Sequence, residues 1–170
     1  MNAFSAEVTA EGIQHLQDDP RVERVVLDRV FHISLTDSLP LIQVNNTRKL
    51  WVQNSNLTGS GETVCVIDTG IDLDHPDLGA NVKGGINTIY SWRTADDDNG
   101  HGSHVAGTIG AANNLLGVIG VGHEIDLYAV KVLNSGGSGY VSDIIEGIQW
   151  SINNNMDVIN MSLGTTSNVQ

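Results

Sequence analysis

The chain has 170 residues, 40% of them hydrophobic, 19 glycines, and a net charge of −12 from 20 acidic against 8 basic residues. That composition describes a globular protein with room for one core and a short appendage, and excludes a disordered chain. The acidic balance excludes nucleic acid as an expected partner, because phosphate recognition needs clustered Lys and Arg. A membrane partner is equally unexpected, since no apolar run reaches the roughly 18–20 residues that span a bilayer.

The start, Met1-Asn-Ala-Phe-Ser-Ala-Glu7, has neither the basic nor the apolar region of a signal peptide. Phe4 to Val8 alternates as a strand would, and Thr9 is placed to cap a helix running through Ile13 and Leu16. Asp18-Asp19-Pro20 stops it, because proline cannot continue a helix. Val22 to Val26 and the Val30-Phe31 pair read as further strand. Such a β–α–β piece is too small to hold a core of its own. The polar residues 34–38 predict an exposed connection.

From Thr63 the pattern changes. Thr63 to Ile67 is a continuous apolar run, as in a strand covered on both faces. It contains the sole cysteine, Cys65, which reads as a small buried hydrophobe and has no partner for an internal disulfide. His101 to Ala112 predicts a helix of small residues, Ile125 to Leu133 a strand, and 134–139 a Gly-rich loop. Val141 to Asn154 places Ile144, Ile145, Ile148 and Ile152 at helical spacing, and Val158 to Leu163 reads as another buried strand. Strand–helix–strand alternation of this kind predicts an α/β fold with a parallel sheet and right-handed crossovers.

In such sheets ligands bind at the carboxyl ends of the strands. Asp68 stands at that end of the first strand, with Gly70 permitting a tight turn. A carboxylate there needs a partner, and a histidine suits, because the carboxylate can set its tautomer and stabilise the imidazolium. His101 is the candidate, where an Asp-rich loop enters a helix between Gly100 and Gly102. Taken singly, a strand-end Asp is more often structural, and a His opening a helix is more often a cap. His101 and His104 also read as zinc ligands three apart, but no HExxH pattern accompanies them. Counting the Asp96–Gly100 run as a calcium-binding EF-hand puts Ala95 and Ala106 at ligand positions, so it reads as a solvated loop.

Three segments taken together are more specific: VIDTGID at 66–72, NGHGSHVAG at 99–107 and MDVINMSLG at 156–164. In order, spacing and context they resemble the subtilisin-like serine protease family. The resemblance implies a doubly wound, mostly parallel α/β sheet, incomplete in this chain, and hydrolysis of peptide bonds through an Asp-His-Ser triad. Asp68 would orient the imidazole and His101 would act as general base and acid. Ser162, Leu163 and Gly164 match the family segment lining the primary specificity pocket, and Ser138, Gly139 and Tyr140 the segment pairing with the substrate backbone. Main-chain pairing of this kind suits broad specificity. His104 matches a structural helix position.

The same resemblance implies a structural calcium ion and no organic cofactor. Its ligands would be Asp77, Asn114, the carbonyls of Ala112, Leu116 and Val118, and Asp37 near the mature N-terminus, a set of oxygens such as calcium prefers. Residues 1–34 resemble the C-terminal half of an inhibitory pro-segment, and 35–170 the N-terminal part of the peptidase domain, with the junction near Ser34–Leu35. Polypeptide substrates, the chain's own propeptide as intramolecular inhibitor, an extracellular location and a monomeric state when complete follow as expectations. The family's nucleophilic Ser and oxyanion Asn lie further downstream, so the chain alone is expected to be inactive. Two other classes stay open: a non-catalytic binding protein keeping the fold, and a metal-dependent hydrolase using Asp68, Asp72, Asp74 and His101.

Overall fold

The computed structural model describes residues 5–28, 30–33, 51–52 and 55–165. Along the chain these form α1 (Ala10–Asp18), β1 (Val30–Ile33), β2 (Trp51–Val52), β3 (Ser55–Asn56), β4 (Thr63–Asp68) and β5 (Val82–Asn87). There follow α2 (His101–Gly110), β6 (Asp126–Lys131), β7 (Ser138–Tyr140), α3 (Val141–Asn153), β8 (Val158–Asn160) and β9 (Leu163–Gly164).

Four strands make a parallel sheet in the order β5-β6-β4-β8. The two central strands are buried on both faces, which is why they read as unbroken apolar runs. Successive side chains of a strand point to opposite faces, and the core divides accordingly. Val64 and Val66 join Leu127 and Ala129 under α2, packed with Val105 and Ala106. Cys65 and Ile67 join Val130 and Val132 on the other face, against Ile144 of α3. Burying side chains of this size contributes about 1.5–3 kcal/mol each. Cys65 lies in this second layer, where burial pushes its thiol up to about 11. It contacts Ser151 Oγ at 2.9 Å, and that hydroxyl donates to the Gly147 carbonyl.

A second sheet is antiparallel and three-stranded, with β1 in the middle of β7-β1-β9. Val30, Phe31 and His32 pair with Tyr140, Gly139 and Ser138, while His32 and Ile33 pair with Gly164 and Leu163. Just before β1, Asp28 accepts hydrogen bonds from Ser142 N (3.0 Å) and Ser142 Oγ (2.5 Å). Helix α3 has no side-chain cap from its own N-cap residue, Tyr140, so Asp28 supplies one from 114 positions earlier.

The helix α1 starts where expected, with Gly12 N donating to Thr9 Oγ1 at 3.1 Å, and ends before Pro20. Other expectations fail. Residues 5–8 and 22–26 are irregular, because an alternating pattern makes a strand only where an edge is available to pair with. The stretch Val158 to Leu163 is two strands in two sheets, divided at Met161-Ser162. It is not buried throughout: β8 is an edge strand, and Val158 is 51% exposed. The strand β5 carries Gly84 and Gly85 and is largely exposed, so no hydrophobic pattern announced it. The expected connection at 34–38 lies outside the described residues.

Candidate active site

Asp68 ends β4 and His101 begins α2, and the chain brings them together by docking two turns. Ile71 N donates to Ala95 O (3.1 Å), Asp97 N to Ile71 O (3.2 Å), and Leu73 N to Asp96 Oδ1 (3.1 Å). Gly70 adopts φ +111°, and a Cβ there would stand 2.5 Å from the Ala95 carbonyl oxygen. A Cβ on Gly102 would collide with the Gly70 carbonyl. Close backbone approach, more than free space around the ring, is what these glycines supply.

The result is a hydrogen bond of 2.7 Å between His101 Nδ1 and Asp68 Oδ1. Asp68 is 0% exposed, and its Oδ1 also accepts from Thr69 N at 2.7 Å. Burial pushes the Asp68 carboxyl above its ordinary range, while the bonds from His101 and Thr69 pull the other way. With the carboxylate accepting from Nδ1–H, the neutral ring carries its lone pair on Nε2. That nitrogen is buried and, like Asp68 Oδ2, has no hydrogen-bond partner among the described residues. The pair can therefore take a proton at Nε2 and hold the resulting cation against a buried anion.

The other candidates fall in two groups. Gly139 and Leu163 sit on the strands flanking β1, with Ser138, Tyr140 and Gly164 beside them, so the two edges already hold an extended segment. Ser162 precedes β9, and its Oγ accepts from Asn160 Nδ2 at 3.0 Å. Asp77, Ala112, Asn114, Leu116 and Val118 converge elsewhere. The buried Asp77 carboxylate accepts from Val118 N (3.1 Å) and lies 3.4 Å from Asn114 Nδ2, and a Cβ added at Gly117 would collide with it. The Asp77 carbonyl accepts from Ala112 N, and Asn114 Oδ1 from Leu116 N. The contacts seen at this buried carboxylate are thus N–H donors of the 112–118 loop, which tie that loop to the Asp77 turn. Asp37 lies outside the described residues.

His104 is exposed. Among the described residues no three His, Cys, Asp or Glu side chains gather as a metal centre. Asp72 and Asp74 form a turn in which Asp74 N donates to Asp72 Oδ1.

Three residues escaped the sequence reading. The loop 96–100 is not merely solvated: Asp97 accepts from the Thr69 and Ser103 hydroxyls and from three backbone N–H groups. Thr69 thus joins the Asp68 turn to that loop. Lys131, 4% exposed, donates to Thr69 O (2.5 Å), Asp98 Oδ1 (2.6 Å) and Leu133 O (3.0 Å). A charged residue inside the apolar run IDLYAVKVL was a readable signal, because a buried ammonium demands partners.

A carboxylate–histidine pair at the carboxyl end of a parallel sheet, beside two edges holding an extended strand, is the arrangement of hydrolases that activate a nucleophile through histidine. Residues 59–170 match the model of the subtilase family, and the chain belongs to that family of serine proteases. It is 45% identical over 163 residues to the thermostable alkaline protease of Halalkalibacterium halodurans, covering 95% of this chain and 43% of that protein. It is 46% identical over 165 residues to subtilisin E of Bacillus subtilis, covering 96% and 42%, and 43% identical over 164 residues to the M-protease of Shouchella clausii, again 96% and 42%. The chain thus spans less than half the length of these relatives.

Proposed function

We propose that Asp68 and His101 are two members of an Asp-His-Ser triad in a serine endopeptidase acting on polypeptides. The observation that carries this is the 2.7 Å bond from His101 to the fully buried Asp68, with Nε2 left free to accept a proton. His101 takes the proton of a serine hydroxyl as that oxygen attacks the peptide carbonyl, then returns it to the leaving amine. Asp68 fixes the tautomer and stabilises the transient imidazolium without itself becoming protonated. The serine belongs to the whole protein, and the 170-residue chain by itself is not expected to turn over peptides.

Substrate enters as an extended strand between Ser138–Tyr140 and the segment Ser162, Leu163 and Gly164, held by main-chain bonds. Residues 1–34 act as a propeptide: β1 occupies that same groove, an inhibitor presented as a substrate-like strand. Processing near Ser34–Leu35 would leave 35–170 as the start of the mature enzyme. Calcium would be held by Asp77, Asn114 and the carbonyls of Ala112, Leu116 and Val118, with Asp37 completing the shell. It ties the loop at 112–118 to the Asp77 turn and takes no part in the chemistry. An extracellular, monomeric enzyme is the setting this reading implies, and no helix among the described residues is long and apolar enough to cross a membrane.

The test is labelling of the full-length protein with a fluorophosphonate. Covalent modification of one serine, lost in His101→Ala, is the expected result. Labelling that persists at the same rate in His101→Ala would refute the role of His101.

A further inference from the structure

The first N–H groups of a helix have no partner within it. In α2 this problem is sharpened because the N-cap residue is Gly100, which has no side chain to offer. Its solutions converge on one carboxylate. His101 N donates to Asn99 Oδ1 at 3.1 Å, Gly102 N to Thr69 Oγ1 at 2.9 Å, and Ser103 N to Asp97 Oδ2 at 2.9 Å. Thr69 Oγ1, accepting from Gly102 N, itself donates a hydrogen bond to Asp97 Oδ1 at 2.8 Å. The same oxygen takes Asn99 N and Gly100 N at 3.0 Å each, and Oδ2 takes the Ser103 hydroxyl at 2.6 Å. Ser103 Oγ in turn accepts from Asp72 N at 2.8 Å.

The residue that follows Asp68 therefore caps the helix that His101 begins, and Asp97 holds it in that role. A hydroxyl hydrogen-bonded to a carboxylate is a polarised, directed acceptor. Burial would raise the Asp97 carboxyl, but the Ser103 hydroxyl and the N–H groups of Gly100, Asn99 and Ser103 outweigh it and hold it below the usual range. Asp97 is thus present as the anion that can receive all five donors.

We propose that Asp97 is a positioning residue for the Asp68–His101 pair, acting through the Thr69 hydroxyl. It touches neither reacting group. It sets the distance between the two chain segments that carry them, so that Asp68 Oδ1 meets Nδ1–H. This rests on the reading of Asp68 and His101 as the proton-transfer pair, and the test separates the two claims.

The experiment is 15N NMR of the His101 imidazole in the 170-residue chain, which distinguishes the Nδ1–H from the Nε2–H tautomer, coupled to peptide hydrolysis by the full-length protein. The variants are Asp97→Asn, Thr69→Val, Thr69→Ser and the double Asp97→Asn/Thr69→Val. Asp97→Asn and Thr69→Val are expected to lose the Nδ1–H preference and to lower kcat by about 10–100-fold, the worth of a hydrogen bond to a charged group, with KM within about threefold. Thr69→Ser should retain both tautomer and kcat. The double variant should be no worse than the poorer single, because both break one relay. Should Asp97→Asn fail to fold, the Thr69→Val and Thr69→Ser pair carries the same test. Wild-type tautomer and kcat in Thr69→Val, or multiplicative losses in the double variant, would overturn the proposal. Asp68→Asn distinguishes the failures. If it leaves the tautomer unchanged, the pair itself is misread. If it alone changes the tautomer, only the relay is wrong.

Discussion

The N-terminal segment, residues 5–33, and the α/β unit from Thr63 onward solve the folding problem in opposite ways. The α/β unit makes its own core, two apolar layers on either face of β4 and β6. Among residues 5–28 no side chain is buried, and the hydrogen-bonded edges of β1 are both supplied by the other unit. The segment even gives as well as receives, since Asp28 caps α3. The lesson is that β1 is held by borrowed backbone partners, behind a stretch at 5–28 that buries no side chain.

The contrast can be broken most forcefully in the core. Ile67→Ala, at a fully buried position, should cost about 2–5 kcal/mol, whereas Leu16→Ala on α1 should stay within about 0.5 kcal/mol. Urea unfolding followed by circular dichroism measures both, and equal losses would erase the distinction. Next in size is calcium. At 100 times its dissociation constant the ion should add about 2.7 kcal/mol to stability, and Asp77→Ala should remove the response. Thermal unfolding with and without chelator reads this, and an unchanged Tm would remove calcium from the account.

Asp28→Ala sharpens the comparison from the other side. Losing a cap costs about 0.5–2 kcal/mol, so amide exchange at residues 30–33 should quicken several-fold while β4 and β6 stay protected. The smallest effect is at Asp68. Its folded carboxyl is raised by burial, so ionising it on folding costs stability as pH rises through and above the usual carboxylate range near 4. Asp68→Asn should therefore raise Tm at pH 7, with the gain fading below about pH 4. A gain that instead grew on acidification would carry the wrong sign.

How much of this could be read from the chain follows the same division. The buried strands β4 and β6 and the helix α3 were legible because burial on both faces, or on one, leaves a period in the sequence. Asp68 and His101 were weak candidates singly, and were singled out by the resemblance of the segments at 66–72, 99–107 and 156–164, taken together, to subtilisin-like proteases. Val22 to Val26 misled, since a strand needs an edge, and no edge is written into five local residues. The edge strand β5 was missed for the converse reason: its partner β6 orders it, though Gly84 and Gly85 give it no apolar face. Asp97 looked like one of three solvated acids, because its five donors are three backbone N–H groups, the Ser103 hydroxyl and the hydroxyl of Thr69, 28 positions away. Hydrogen-bond networks of that kind leave no periodic trace.

The central claim is that Asp68 serves catalysis by holding His101 in one tautomer. It is tested most directly by kcat for a peptide substrate in the full-length protein, wild type against Asp68→Asn. The account predicts a fall of roughly 10⁴-fold, the scale expected when a triad carboxylate is neutralised, with the folded state intact and more stable. A variant that folds and keeps wild-type kcat would contradict it.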